Sequence, residues 1–98
     1  MNHSPIINNA ELHRFESLIA GEYAYVQYRL GDDKITLLHT FVPEAGRGTR
    51  LAAELAQFAL EFVKKENLKL TVICPFINKY ISKHPEYATL TDNNVQPS

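Results

Sequence analysis

The sequence predicts a small α/β (α+β) domain: a mixed sheet of about five strands with one long and one short helix packed on it. Three observations predict it. β-branched and aromatic residues gather in short runs between Gly- and Asp-bearing turns. One stretch, Thr49 to Lys65, carries apolar residues at helical spacing. A strand, that helix and a second strand follow one another at the spacing of a βαβ unit, so the two strands should lie parallel in one sheet. With 98 residues, 45% of them apolar, the chain can build one modest core. A single domain over residues 1–98 is expected, with its core at about 12–90.

Met1 to Asn9 contains Pro and Asn but little pattern and reads as a loose lead-in. Leu12 to Ile19 reads as a first strand, with Leu12, Phe15 and Leu18 as its apolar contributors. Ala20-Gly21-Glu22 is a short hairpin-like turn. Tyr23 to Leu30 sets Tyr23, Tyr25 and Tyr28 among Ala24, Val26 and Gln27, the enrichment of a strand. Gly31-Asp32-Asp33 is a turn. Lys34 to Val42 follows, with Ile35, Leu37, Leu38, Phe41 and Val42. So continuous an apolar run suits a central strand buried on both faces.

In the long helix Leu51, Leu55, Phe58 and Phe62 fall at steps of four, three and four. Ala52, Ala59 and Val63 widen the stripe, and Glu54, Gln57, Glu61 and Lys64 take the other face. Lys64 and Lys65 suit the C-terminal end of the dipole, and Asn67 suits a C-cap. Leu68 to Ile73 is a short apolar strand, closed by Cys74-Pro75. Pro is favoured at a helix start, so a short helix should run to Lys83 and bury Phe76, Ile77, Tyr80 and Ile81. His84-Pro85 ends it. Glu86 to Leu90 packs back, and Thr91 to Ser98 is polar and expected to fray.

Composition removes several function classes. A formal charge of -1 gives no global pull toward nucleic acid or an anionic membrane. The three tyrosines lack the interleaved basic surface of an RNA-binding sheet. No apolar run is long enough to span a bilayer, and Met1-Asn2-His3-Ser4-Pro5 lacks the apolar segment of a signal peptide. One cysteine forms no internal disulfide, so a reducing, cytoplasmic home is expected. The four His residues show no ligand spacing, and no metal site is expected.

The most informative stretch is Val42-Pro43-Glu44-Ala45-Gly46-Arg47-Gly48-Thr49-Arg50-Leu51-Ala52. A strand that stops at Pro, turns through Gly-Arg-Gly and enters a helix leaves free backbone N–H groups at the helix start. Those groups and the helix dipole favour an anion, typically a phosphate. The stretch has neither the Gly-Lys-Ser/Thr ending of a P-loop nor the third Gly of a dinucleotide fingerprint. A plain strand-to-helix connection is the alternative.

Two stretches together resemble the GNAT superfamily of acetyl-CoA-dependent N-acetyltransferases, and specifically its small YjdJ-type branch. One is His39-Thr40-Phe41 running through Val42–Ala52. The other is Val72-Ile73-Cys74-Pro75-Phe76-Ile77-Asn78-Lys79-Tyr80-Ile81, continuing to His84-Pro85-Glu86-Tyr87. The likeness covers about Phe15 to Leu90 and implies a minimal GNAT-like fold. The family's turn pattern is Gln/Arg-x-x-Gly-x-Gly/Ala, with Arg47 at the first position here and Ala52 at the last. The resemblance implies that backbone N–H groups of Arg47, Gly48, Thr49, Arg50, Leu51 and Ala52 hold the pyrophosphate of acetyl-CoA. It also implies that the backbone of Phe41 and Val42 faces the thioester and pantetheine, in a gap where this strand splays from the next. Arg50 stands where the family normally has Gly, so its side chain either covers the phosphates or blocks them. On this resemblance the chain is expected to be without the N-terminal helices that build the acceptor pocket in full-size enzymes. The acceptor side should therefore be shallow, unless a homodimer completes it.

Acetyl transfer needs a neutral amine, a polarised carbonyl and a proton for the leaving thiolate. The Val42 N–H is a candidate to polarise the carbonyl. Cys74, at a strand end and helix start, is a candidate thiolate; a small buried hydrophobe is the alternative. His39 is a candidate base and Tyr80 a candidate proton donor, against hydrogen-bonded and core roles respectively. Asn78 is placed to bond the pantetheine, or to face solvent. Three readings result: an acetyl-CoA-dependent transferase acting on a primary amine of unidentified acceptor, a CoA-binding module without robust catalysis, or a protein-interaction domain using a sheet edge.

Overall fold

The computed structural model describes residues 3–91. Five strands form one sheet in chain order: β1 (Ile7–Asn9), β2 (Arg14–Ile19), β3 (Glu22–Leu30), β4 (Lys34–Phe41) and β5 (Lys69–Val72). Neighbours are antiparallel except β4 and β5, which run parallel because α1 (Leu51–Glu66) carries the chain back between them. The shorter helix α2 (Pro75–Lys83) follows β5, and a 3-10 segment over Pro85–Leu90 packs back on α1. The mixed α+β architecture expected from the sequence is the one observed.

Local chemistry accounts for the turns and helix ends. Ala20 and Gly21 both take positive φ, +51° and +82°, the geometry that matches a two-residue hairpin to the twist of its strands. Asn67 ends α1 in the left-handed region, and its N–H bonds the Lys64 and Val63 carbonyls. Pro75 opens α2.

The core lies between one face of the sheet and the helices. Phe15, Ile19, Ala24, Val26, Ile35, Leu37 and Leu70 meet Leu51, Leu55, Ala56, Ala59, Leu60 and Val63 of α1 and Ile77 of α2. Each large side chain removed from water there contributes about 1.5–3 kcal/mol. Phe58 and Phe62 are not at the centre of this stripe. They flank it, with rings 5.6 and 5.1 Å from Phe15, while Ala56 and Leu60 take the buried positions. Among the described residues no helix covers the other face of the sheet, and none is long and apolar enough to cross a membrane.

Several expectations are corrected. Ile7–Asn9, read as loose lead-in, pairs with Glu16, Phe15 and Arg14 as β1. Its anchors are polar: the Ser4 N–H bonds the Leu18 carbonyl, and the His3 ring bonds Ser17 and Glu54. The first long strand starts at Arg14, not Leu12, because His13 turns through a positive φ. The long helix starts at Leu51, with Thr49 capping from outside it. β4 is an inner strand but is buried on one face only: Ile35 and Leu37 are covered, while His39 and Phe41 are exposed. On α2 only Ile77 and Ile81 are buried; Phe76 is 37% exposed and Tyr80 half-exposed. The frayed end expected over Thr91–Ser98 lies outside the described residues except for Thr91, which bridges to Leu70.

Candidate functional site

The site grows from a fault in the register of β4. Tyr28 pairs with Leu37 and Gln27 with His39, so Leu38 is an extra residue, a β-bulge. At the same level β5 leaves. The N–H groups of Ile73 and Cys74 both reach the Leu37 carbonyl, at 2.9 and 3.2 Å, and the strand pairing stops there. From Leu38 to Phe41, β4 is paired with β3 alone. β5 ends level with the bulge and the chain turns through Ile73–Pro75 into α2, so this edge of β4 has no strand partner beyond Leu37.

The bulge also decides which side chains face which side. Thr40 pairs with buried Val26 and so joins the helix-covered face, where its Oγ1 lies 3.3 Å from the Cys74 Sγ. Cys74 is 2% exposed. His39 and Phe41 pair with Gln27 and Tyr25 and so point to the uncovered face. There the Tyr25 ring lies 5.8 Å from His39 and 5.6 Å from Phe41. Arg14 stacks over Tyr25 at 4.5 Å and pairs with the buried Glu16 carboxylate at 2.6 Å, which Asn9 also bonds. Two predicted catalytic residues, Cys74 and His39, thus sit on opposite sides of the sheet.

At the same end the chain turns through Glu44–Gly46 into α1. Gly46 is buried because a Cβ there would stand 2.8 Å from Val42 Cγ1 and 3.2 Å from Leu51 Cδ2. Arg47 folds back, its Nε donating to the Val42 carbonyl at 3.2 Å. Gly48 takes φ +79° with open space around it. The Thr49 hydroxyl donates to the Gly46 carbonyl at 2.6 Å and accepts from the Leu51 N–H at 3.1 Å. The first backbone bond into the helix is Glu54 N–H to the Arg50 carbonyl. Among the described residues, the N–H groups of Gly48, Arg50, Ala52 and Ala53 find no acceptor. Four unpaired donors beside an open glycine at a helix N-terminus fit an anion. The Leu51 side chain is core, and Ala52 is half-buried.

Alongside, a cleft of about 350 Å³ is lined by Ala53 of α1 and by Phe76, Lys79, Tyr80, Lys83 and His84. The Tyr80 ring stacks on His84, centroids 4.1 Å apart. Burial raises the Tyr80 phenol above the ordinary tyrosine value; Glu86 and Glu61 add to the rise and Arg50 opposes it. Asn78 donates from Nδ2 to the Val72 carbonyl at 3.3 Å, so it braces the end of β5. Tyr87, in the segment that packs back, donates to Glu61 at 2.6 Å. Among the described residues no three His, Cys, Asp or Glu side chains gather into a metal set.

A β4 edge left without a strand partner beyond Leu37 lies at the same end as a donor-rich turn into α1. A family model described as GCN5-related N-acetyl-transferase matches residues 14–90. The chain belongs to the GCN5-related N-acetyltransferase (GNAT) family. Protein NATD1 of Danio rerio is 42% identical over 67 residues, which are 66% of this chain and 57% of that protein. Protein NATD1 of Homo sapiens is 44% identical over 63 residues, 64% of this chain and 52% of that protein. The chain spans about half the length of the curated relatives it matches.

In this GNAT domain, sequence reasoning found the turn but missed four features around it. Leu38 gave no signal, because a bulge residue looks like any other apolar strand residue. Thr40 was passed over although it is the neighbour of Cys74. Gly46 was read as turn composition, while its role is close packing. Phe76, Tyr80 and His84 repeat every four residues with Lys79 and Lys83 beside them, a pattern that marks an exposed flank as readily as a core one.

Proposed function

We propose that this chain is an acetyl-CoA-dependent N-acetyltransferase of the small YjdJ-type branch that acetylates a primary amine in the cytoplasm. The observation that carries the reading is one shared end of the molecule. There β4 and β5 part at the Leu37 carbonyl, and the unpaired N–H groups of Gly48, Arg50, Ala52 and Ala53 stand at the start of α1.

Acetyl-CoA supplies the activated thioester, and the residues present divide the remaining tasks. The unpaired amides hold the diphosphate through charge-assisted hydrogen bonds. Arg50, exposed at the N-cap position, covers it as a clamp. The Val42 N–H donates to the acetyl carbonyl oxygen, where negative charge develops. Tyr80, held protonated by burial, is the proton source for the departing thiolate. His39, on the uncovered face, takes the proton of the incoming ammonium so that the amine is neutral when it attacks; the second nitrogen proton, released as the tetrahedral intermediate collapses, replaces the one that Tyr80 gives to sulfur. Cys74 and Thr40 line the gap between, and Asn78 keeps its far wall in place. A covered donor side and an open acceptor side suit an amine carried on a large or extended molecule.

Release of free thiol from acetyl-CoA over a panel of amines tests the reading. Turnover with at least one amine is expected, together with a rise in Tm on adding acetyl-CoA. No Tm shift at saturating acetyl-CoA overturns it; a shift without turnover leaves only a CoA-binding module. Arg50→Gly is expected to weaken acetyl-CoA, and tighter binding in that variant would show that Arg50 obstructs. Unchanged transfer by Cys74→Ala removes any covalent role for the thiol.

A further inference from the structure

We propose, resting on the transferase reading above, that Tyr25 selects the acceptor. With Phe41 it forms an aromatic wall beside His39 for a primary amine on an unbranched apolar arm, and the Arg14–Glu16 ion pair holds it there. The class that fits is a monoamine, whether a lysine side chain or a free alkylamine, and polyamines are disfavoured.

Cross-strand register brings the parts together. On the uncovered face Glu16, Tyr25 and Phe41 stand in one row across β2, β3 and β4, and Arg14, Gln27 and His39 in the next. Tyr25 therefore meets Phe41 directly, ring centroids 5.6 Å apart, and His39 on the diagonal, edge-on at 5.8 Å. His39 and Phe41 are exposed, so a chain that reaches the imidazole from this side runs along two rings. A straight methylene arm laid on them leaves water. Tyr23 and Leu18, both exposed, pair with each other in the following row and continue the apolar strip.

A ring on an uncovered strand face has no packed layer above it to fix its rotamer. Arg14 takes that part: its guanidinium lies 4.5 Å from the Tyr25 ring centroid and 5.5 Å from that of Tyr23. Arg14 is fixed in turn by Glu16, its Nε donating to Oε1 at 2.6 Å, while Asn9 Nδ2 donates to Oε2 at 3.0 Å. Glu16 is buried although it belongs to the uncovered face, and no step of the transfer uses it. Burying a carboxylate is costly even when it is paired; here the pair orients Tyr25. It also sets the charge that an acceptor meets. Of the strand carboxylates, Glu22 pairs with buried Ile19 and shares its side of the sheet, and Glu16 is already neutralised by Arg14. Glu44 stands in the turn that leads to α1. Arg29, two residues beyond Gln27, adds a further cation to the uncovered face. A second ammonium on the acceptor arm therefore meets Arg14 and Arg29 and no unpaired strand carboxylate.

Thiol release at saturating acetyl-CoA from n-pentylamine, 1,5-diaminopentane and an Nα-acetyl-lysine amide tests the assignment. At low salt kcat/KM for n-pentylamine should exceed that for 1,5-diaminopentane about tenfold, with the gap shrinking as salt rises. Preference for the lysine amide over n-pentylamine marks protein lysines as the source, and the reverse preference marks free alkylamines. Tyr25→Leu should raise the amine KM about tenfold and leave the acetyl-CoA KM in place. Tyr25→Phe, which keeps the ring, should recover that loss. Arg14→Met alone strands the Glu16 charge and is expected to destabilise the fold. Arg14→Met/Glu16→Gln removes both charges, keeps an acceptor for Asn9, and should raise the amine KM with little change in Tm. Equal or better use of the diamine overturns the assignment while leaving the transferase reading intact. So does an amine KM unmoved in Tyr25→Leu or in the double variant. No turnover with any amine of the wider panel overturns both.

Discussion

Between Lys34 and Leu37, β4 is hydrogen-bonded along both edges, to β3 on one side and β5 on the other; between Leu38 and Phe41 it is bonded along one. The lower half carries Ile35 and Leu37, both fully buried under the helices. The upper half carries Thr40 beside Cys74 on one side and His39 and Phe41 on the other, where Phe41 is 39% exposed. The difference shows how one strand serves two ends. Its first half contributes to stability through apolar burial and complete backbone pairing. Its second half gives up one ladder of hydrogen bonds, which leaves its edge free beside the Ile73–Pro75 turn.

The largest expected effect sharpens that contrast. Leu37→Ala should cost about 2–5 kcal/mol in urea unfolding, because it empties a site with no exposed surface. Thr40→Ala should cost about 1 kcal/mol or less, yet slow thiol release from acetyl-CoA. Similar stability losses in the two variants would break the comparison. Next come the glycines of the turn above the singly paired half. Gly46→Ala drives a methyl to 2.8 Å from Val42 and should cost about 1–3 kcal/mol, with weaker acetyl-CoA binding. Gly48→Ala meets no neighbour and pays only for its positive φ, about 1 kcal/mol. Equal losses at the two glycines would show that Gly46 is not a packing position.

An effect of the size of Gly48→Ala belongs to the segment that packs back on α1. Tyr87→Phe removes the hydrogen bond to exposed Glu61 and should cost about 1 kcal/mol in denaturant unfolding. Burial first, and the Glu61 carboxylate second, hold the Tyr87 proton on well above the ordinary tyrosine range. The folded state therefore keeps a proton that the unfolded chain loses near pH 10, a value of about 10 being usual for free tyrosine. This stabilisation is complete below about pH 10 and is lost as pH rises further. Wild-type stability should fall more steeply than that of Tyr87→Phe above that pH; parallel falls would remove Tyr87 as the cause.

Much of the fold was legible because its signals are local. Thr49 to Lys65 repeats at helical spacing, Asn67 and Pro75 punctuate, and strand–helix–strand spacing makes β4 and β5 parallel. Ile7–Asn9 escaped notice because a three-residue edge strand has no periodicity to read; it is held by Ser4 and His3 contacts far along the chain. The turn into α1 was legible from Gly-Arg-Gly before an apolar period. The burial of β4 was misread because a bulge puts Leu38 out of alternation, and a run of apolar letters looks the same whether one face or two are covered. The cleft beside α2 was hidden for a related reason. Helical spacing says that Phe76 and Tyr80 share a face, but which face meets the core is decided by Ile77 and Ile81.

The extra residue in β4 makes this sheet sensitive to arithmetic. With Leu38 set outside the ladder, Leu37 and His39 meet the adjacent partners Tyr28 and Gln27, so Thr40 stays under the helices and His39 stays outside. Were Leu38 instead taken into the ladder opposite Gln27, every side chain beyond it would change sides: His39 would swing under the helices and Thr40 would turn out toward solvent. Point changes here adjust one group at a time, whereas a slip of one residue would exchange both faces of this end at once.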